Sequence, residues 1–293
     1  MRILSLIIII FFAGNCTAQT NLITNKDDNS LLWQISGNGL KHPSYLFGTF
    51  HLLCKDYIHF SNQLKAAIES SKEIYMELKM DDPKLLMEGL KFLYMKDNKK
   101  LKDFYSDSEY NKVSTYFNDS LNTDLGVVQA MKPYFLMSLL YTKMLPCKPT
   151  SGVEEELVSL AKADQKQIKG LETMEFQASV FDSISYDEQA KDLLKSIDSI
   201  KTYTSEFNDM LSVYMSQQIN KIGALVNKTE FGINEHDDIL LDDRNRNWVQ
   251  QLKTIMANES VFVAVGCGHL VRDKGLIELF RKEGYKVIPL FNK

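Results

Sequence analysis

Residues 45–54 read YLFGTFHLLC, and residues 261–270 read VFVAVGCGHL. Each is a short, continuous apolar run without the alternation of a half-exposed strand. Each also reaches a glycine and, three positions later, a histidine: Gly48 with His51, and Gly266 with His269. Uninterrupted apolar runs of this kind suit strands buried on both faces, which occur where helices cover a sheet from either side. Two of them, at opposite ends of the chain, constrain it to a layered α/β arrangement with these strands inside the sheet.

The segments between them fit that frame. LLWQIS and YLFGTF flank Gly37-Asn38-Gly39 and predict a hairpin, with Pro43 tolerated at a strand start, so the sheet is expected to be mixed. From Ser61, the spacing of Leu64, Ala67 and Ile68 predicts one helical face, followed by the strand EIYMELKM. Residues from Asp82 to about Leu145 lack strand-like alternation and predict several helices, punctuated by Pro133 and Pro146. Gly152 opens a second β-α-β-like piece, with Leu157, Leu160 and Ala161 on a helical face before the strand QIKGLE. Another helical stretch runs from Phe176 to about Val226. DRNRNWVQQLKTIM is amphipathic through Trp248, Leu252, Ile255 and Met256. Finally, LVRDKGLIELFRKEG predicts a helix closed by Gly284, and YKVIPL a last strand. The expected fold is therefore α/β: a mixed central sheet, flanking helices and a helical insertion in the middle, in one domain spanning 31–293.

Charge says little about partners. Of 293 residues 44% are apolar and 25% charged, with a formal net charge of −4 and interspersed signs, so no basic face points to nucleic acid and no polybasic stretch to anionic lipid. The first residues are more telling. A single basic residue, an apolar stretch from Ile3 to Phe12 and a small-residue exit through Ala18 predict a secretory signal peptide over 1–18. The run is shorter than the roughly 18 apolar residues a membrane span requires, so no stable insertion is expected after cleavage. Lipid attachment at Cys16 is the alternative, although Asn15 suits it poorly. Residues 19–30 read as a flexible mature N-terminus.

Export, to the periplasm or the extracellular space, changes how the cysteines read. Cys54, Cys147 and Cys267 remain after cleavage, an odd number in a compartment where disulfides persist. Cys267 lies inside the second G-x-x-H, so Cys54 and Cys147 are the natural pair; the alternative is three buried thiols.

In open α/β sheets, ligand sites gather at strand C-terminal ends. His51 and His269 occupy two such ends, and Glu77 in IYMEL and Glu172 in IKGLE occupy two more. Two imidazoles and two carboxylates suit a divalent cation such as Mn²⁺, Co²⁺ or Zn²⁺, with His51, His269 and Glu77 as ligands and Glu172 as acid/base or a further ligand. Taken singly, each signal has a plainer reading: a hydrogen-bonded core histidine, or a solvated strand-end carboxylate. Arg244 and Asn245 in DDRNRNWV are the other polar candidates. A guanidinium there can hold a carboxylate, of substrate or of the site, in a bidentate pair, or simply lie on an exposed helix face.

Taken in order, WQISGNGLKHPSYLFGTFHLLC, MEL around Glu77, LVSLAKADQKQIKGLETMEFQ, DDRNRNWV and VFVAVGCGHLVRDKGLIELFRKEGYKV resemble the TraB/GumN family, which includes the Tiki-type proteases. The resemblance implies two related halves, each bringing one G-x-x-H to a shared cleft, and activity dependent on Mn²⁺ or Co²⁺. It places His51 and His269 on the two family histidines, Glu77 on the acidic strand end, and Glu172, Arg244 and Asn245 on other family polar positions. Glu154 in GVEEEL stands where many relatives have aspartate.

The function expected is a secreted metal-dependent hydrolase of a peptide or another small amide or ester. Glu77, Glu172 and Arg244 would serve catalysis, and Arg244 and Asn245 would contact substrate. The alternative is a non-catalytic protein that sequesters a peptide in the same cleft.

Overall fold

The computed structural model describes residues 29–226 and 236–292, so the expected 1–18 leader, Cys16 and most of the 19–30 stretch lie outside the described residues. The sheet is built outward from its most apolar run. In β7 (Val261–Gly266) every residue from Val261 to Val265 is at most 1% exposed, because strands pair on both edges and helices cover the faces. On one side β2 (Ser44–Thr49) pairs with β7 in parallel, Tyr45 opposite Phe262 and Thr49 opposite Gly266. On the other side β4 (Glu73–Met76) is also parallel, Ile74 opposite Phe262, and it pairs in turn with β6 (Gln167–Gly170). The hairpin expected around Gly37-Asn38-Gly39 is present. All three turn residues have positive φ, and β1 (Leu32–Ser36) returns antiparallel to β2. β8 (Lys286–Pro289) closes the far edge against β1. The order is β6-β4-β7-β2-β1-β8, a mixed six-stranded sheet as expected.

Parallel neighbours require crossovers, and the helices supply them. α1 (Asn62–Ser70) starts on the Ser61 side chain, which accepts from Leu64 N, and it buries Leu64, Ala67 and Ile68, the face read from the sequence. α6 (Val153–Ala163) leads into β6 and buries Leu157 and Ala161. α11 (Asp243–Met256) leads into β7 and buries Trp248, Leu252 and Met256. The helical insertion comprises α2 (Pro83–Phe92), α3 (Asp107–Leu121), α4 (Leu125–Val128) and α5 (Pro133–Met144). α7 (Met174–Asp182), α8 (Tyr186–Asp198), α9 (Ile200–Met215) and α10 (Ile219–Val226) follow β6. α5 packs on α8, and Lys132, buried at the head of α5, reaches Asp182 at the end of α7 at 2.5 Å.

Two local features depart from the sequence reading. A two-residue ladder, β3 (Leu53–Cys54) against β5 (Thr150–Ser151), forms where no strand was expected. The Cys54–Cys147 disulfide closes beside it, with Cα atoms 5.7 Å apart, and Cys267 stays a buried thiol. The helix expected over LVRDKGLIELFRKEG is also shorter. A 3-10 turn covers Cys267–His269, Arg272 adopts φ +74°, and α12 begins only at Leu276, running to Lys282. A Cβ on Gly275 would lie 2.1 Å from the Val271 carbonyl oxygen, a turn too tight for another residue. This bend presents the His269 and Lys274 carbonyls to Asn245, which a continuous helix would have used internally.

Candidate active site

The four strands β2, β4, β6 and β7 run in the same direction, so His51, Glu77, Glu172 and His269 all emerge at one rim of the sheet. The glycines let the two histidine turns approach. A Cβ on Gly48 would lie 3.1 Å from Cys267 Cβ and from Leu270 Cδ2, so the absence of a side chain on β2 makes room for the turn leaving β7. The space beside Gly266 is bounded by all three expected ligands. A Cβ there would lie 3.4 Å from Glu77 Oε1, 3.5 Å from His51 Nε2 and 3.7 Å from His269 Cδ2. The sequence expectation that these residues share a cleft describes this arrangement.

Each histidine is held by its Nδ1. Asn245 Oδ1 lies 2.7 Å from His269 Nδ1, while Asn245 Nδ2 donates to the carbonyls of Lys274 and His269. Those two donations fix which end of the amide is oxygen, so the proton sits on His269 Nδ1 and the Nε2 lone pair faces Glu77 Oε1, 3.8 Å away. The Trp248 ring, 4.4 Å from the imidazole, completes the enclosure. His51 Nδ1 contacts Glu154 Oε1 at 2.7 Å, and Thr49 Oγ1 donates to the same oxygen at 2.6 Å. Its Nε2 is the atom turned toward Gly266.

Behind the rim, Arg244 ties the carboxylates together. Its Nε donates to Glu172 Oε1 at 3.0 Å, and its Nη2 donates to Glu172 Oε2 at 2.9 Å and Glu77 Oε2 at 2.6 Å. Its Nη1 donates to the Leu240 carbonyl and lies 3.3 Å from His269 Nε2. The carboxylates it holds are therefore those of the site. Glu172, its side chain 3% exposed, also accepts from Trp248 Nε1. Glu77 Oε1 accepts from Gly266 N at 2.9 Å, and its Oε2 from Gln177.

The family model for the TraB/PrgY/gumN family matches residues 31–289. The chain belongs to that family. Among curated relatives of this family member, Metalloprotease TIKI2 of Danio rerio is 22% identical over an alignment covering 90% of this chain and 62% of the relative. The Metalloprotease TIKI homolog of Amphimedon queenslandica is 20% identical over 97% of this chain and 66% of the relative, and Metalloprotease TIKI1 of Danio rerio 21% identical over 89% and 63%. The chain thus spans about two thirds or less of each relative's length. No solved structure matches it.

Environment separates the two imidazoles of this family member. Burial drives the His269 pKa down to about 3, so its ring is neutral. The Glu154 carboxylate raises His51, and the ring is charged at neutral pH. Burial opposes ionisation of Glu77, yet the Arg244 guanidinium, the charged His51 ring and the Gly266 N–H together hold its carboxyl below the usual range. With His269 neutral, Arg244 is the cation in direct contact. Burial raises Glu172, and the Arg244 contacts pull it back only in part. Burial also lifts the Cys267 thiol to about 12, which leaves it no role as a thiolate.

The sequence expectation put Asn245 against substrate. The structure places it fully buried beneath His269, with both of its amide atoms engaged. Glu154 and Thr49 are site residues that sequence reasoning did not assign. Glu154 stands out in the sequence only for its place where many relatives have aspartate, and the sequence alone does not show which of three consecutive glutamates turns to His51.

Proposed function

We propose that this rim is the catalytic centre of a metal-dependent hydrolase acting on a peptide, or on a comparable amide or ester. The observation that carries the reading is the convergence of His51 Nε2, Glu77 Oε1 and the His269 ring on the space beside Gly266. Among the described residues, no three His, Cys, Asp or Glu side chains are yet gathered tightly enough to hold an ion as they stand. The donor chemistry nonetheless suits one. Both imidazoles are anchored through Nδ1 and turn Nε2 inward, the arrangement of ligating histidines. With His51 deprotonated, as ligation requires, the three carboxylates Glu77, Glu154 and Glu172 against the Arg244 guanidinium leave two formal negative charges to balance a dication.

His51, His269 and Glu77 would hold the cation, Mn²⁺, Co²⁺ or Zn²⁺ by ligand type. Once bound, it would supply Lewis acidity and lower the pKa of water. The protein's own part is preparation. Asn245 holds the proton on His269 Nδ1, Glu154 holds the proton on His51 Nδ1, and Arg244 keeps Glu77 ionised while Glu172 braces Arg244. The names of the curated relatives support the same class of chemistry.

Export of the chain belongs to this proposal. It is supported by the Cys54–Cys147 disulfide and the signal-like first residues. Among the described residues, no helix is long and apolar enough to cross a membrane. A second reading, a cleft that binds a peptide without cleaving it, is favoured by one observation: Arg244 Nη1 lies 3.3 Å from His269 Nε2 and answers that lone pair without a metal ion. Metal content and peptide hydrolysis of the purified chain, beside His51→Ala and His269→Ala, decide between them. The hydrolase reading expects bound metal and metal-dependent cleavage, both lost in each variant. A wild-type chain that takes up no divalent cation and cleaves neither peptide nor ester hands the cleft to the binding reading.

A further inference from the structure

His51 is the weakly held member of the site. Its side chain is 74% exposed, whereas His269 is 4% exposed and packed against Trp248. An imidazole in that position keeps its rotamer freedom unless a specific contact removes it. The contact available is the 2.7 Å one from Nδ1 to Glu154 Oε1.

Glu154 is itself unusually constrained. The chain around His51 is fastened to the chain around Glu154 by a strand ladder and a disulfide, whereas the His269 turn is tied to the Asn245 segment by side chains, through Asn245 itself and the ion pairs of Arg272 and Lys274 with Asp242. Thr49 Oγ1 donates to Glu154, and Val153 N donates to the Phe50 carbonyl at 3.1 Å. Leu53 pairs with Ser151 and Cys54 with Thr150, and Lys55 N donates to the Pro149 carbonyl at 3.0 Å. Lys55 Nζ reaches Glu156 at 3.1 Å, and the Cys54–Cys147 disulfide closes the end. Gly152 permits the fit, since a Cβ there would lie 2.8 Å from the His51 carbonyl oxygen and 3.3 Å from Glu154 Oε2.

We infer that Glu154 is the positioning residue for His51, and that the disulfide-closed pairing of residues 49–55 with residues 147–156 exists to set that carboxylate against the ring. The covalent link lies three residues from the histidine and seven from the glutamate, so it acts on the register of this contact as well as on global stability. The inference rests on the metal-centre reading for its consequence, the placing of His51 Nε2. It stands apart from that reading in its geometry, which concerns the metal-free chain.

The test therefore has two arms. In the first, ring-nitrogen chemical shifts of His51 are recorded by NMR in the metal-free full chain, wild type and Glu154→Ala, with His51→Ala to assign the signals. A marked shift in Glu154→Ala, and a smaller one in Glu154→Gln, whose side-chain carbonyl can still accept from Nδ1–H, is the expected result. Unchanged His51 shifts in Glu154→Ala overturn the inference. In the second arm, Mn²⁺ alone is titrated calorimetrically into the same proteins and into a Cys54→Ser/Cys147→Ser double variant, with circular dichroism confirming that each is folded. Each titration is repeated from about pH 7 to above 9, so that proton competition at His51 is separated from ligand orientation. The proton-corrected affinity should fall about 10- to 100-fold in Glu154→Ala, as for loss of a partner that orients a ligand. It should fall less in Glu154→Gln and in the double-serine variant. Wild-type affinity in Glu154→Ala overturns the inference, and wild-type affinity in the double-serine variant overturns the part assigned to the disulfide. If wild type itself binds no Mn²⁺, the metal-centre reading fails, and the NMR arm still decides whether Glu154 positions His51.

Discussion

The two histidine turns make an informative pair. Both leave neighbouring parallel strands, both follow a G-x-x-H sequence, and both are anchored through Nδ1. Yet His269 is buried, neutral and held by an uncharged amide on α11, while His51 is exposed, charged and held by a carboxylate in the first turn of α6, beside the disulfide staple. Burial decides the difference. Where the ring has lost water, ionisation is costly and Asn245 suffices to fix the proton. Where the ring faces water, only a charged acceptor on a rigid segment competes with solvent for it. A single sequence motif has thus been embedded in two electrostatic settings, one fixed and one adjustable.

Variants should expose that asymmetry. The largest effect is expected at the fixed end: Arg244→Ala leaves Glu77 and Glu172 without their shared buried cation and should destabilise the chain by about 3–5 kcal/mol in urea unfolding. Next comes the staple of the adjustable end. Opening the Cys54–Cys147 link by paired serines should cost about 2–4 kcal/mol, read as a drop in the unfolding midpoint. Asn245→Ala strands the buried His269 Nδ1–H and two carbonyls and should cost about 1–3 kcal/mol by the same assay. His51→Ala should cost no more than about 1 kcal/mol, because the ion pair it removes is open to water on the His51 side. A large loss there, or none at Asn245, would erase the distinction between the two ends.

A last expected effect, read on affinity and not on stability, is one of pH. His51 is raised from 6.5 to about 9, so protons compete for it throughout that window. Below about 9 the ring of the metal-free chain is mostly protonated and must lose its proton to bind, so apparent Mn²⁺ affinity should climb as pH rises toward 9 and level off above it. Glu154→Gln removes the charge that raises the ring and should move this climb to lower pH. His269, already neutral across the window, should contribute none of it.

Much of this was legible in the sequence because it rests on patterns with a definite period. The non-alternating runs of β2 and β7 encode strands buried on both faces, and carboxylates at the ends of β4 and β6 fall on the same rim once the sheet is parallel. What stayed hidden depends on contacts without a period. The β3–β5 ladder is two residues long and carries no signal of its own. Leu270, Val271 and Leu276 imitate a helical face, although Arg272 at positive φ and the crowded Gly275 bend the chain toward Asn245 instead. Arg244 on an amphipathic helix looked as apt for substrate as for structure, and only the distances to Glu77 and Glu172 show which carboxylates it grips.

The central claim is that the two turns serve one cation. It is tested most directly by crystals of the purified chain soaked in Mn²⁺ and measured for anomalous scattering. The account predicts a single strong peak beside Gly266, about 2 Å from His51 Nε2, His269 Nε2 and a Glu77 oxygen, with Arg244 Nη1 drawn away from His269. A map with no peak at that point, or with Arg244 still bonded to His269 Nε2 at saturating Mn²⁺, would contradict it.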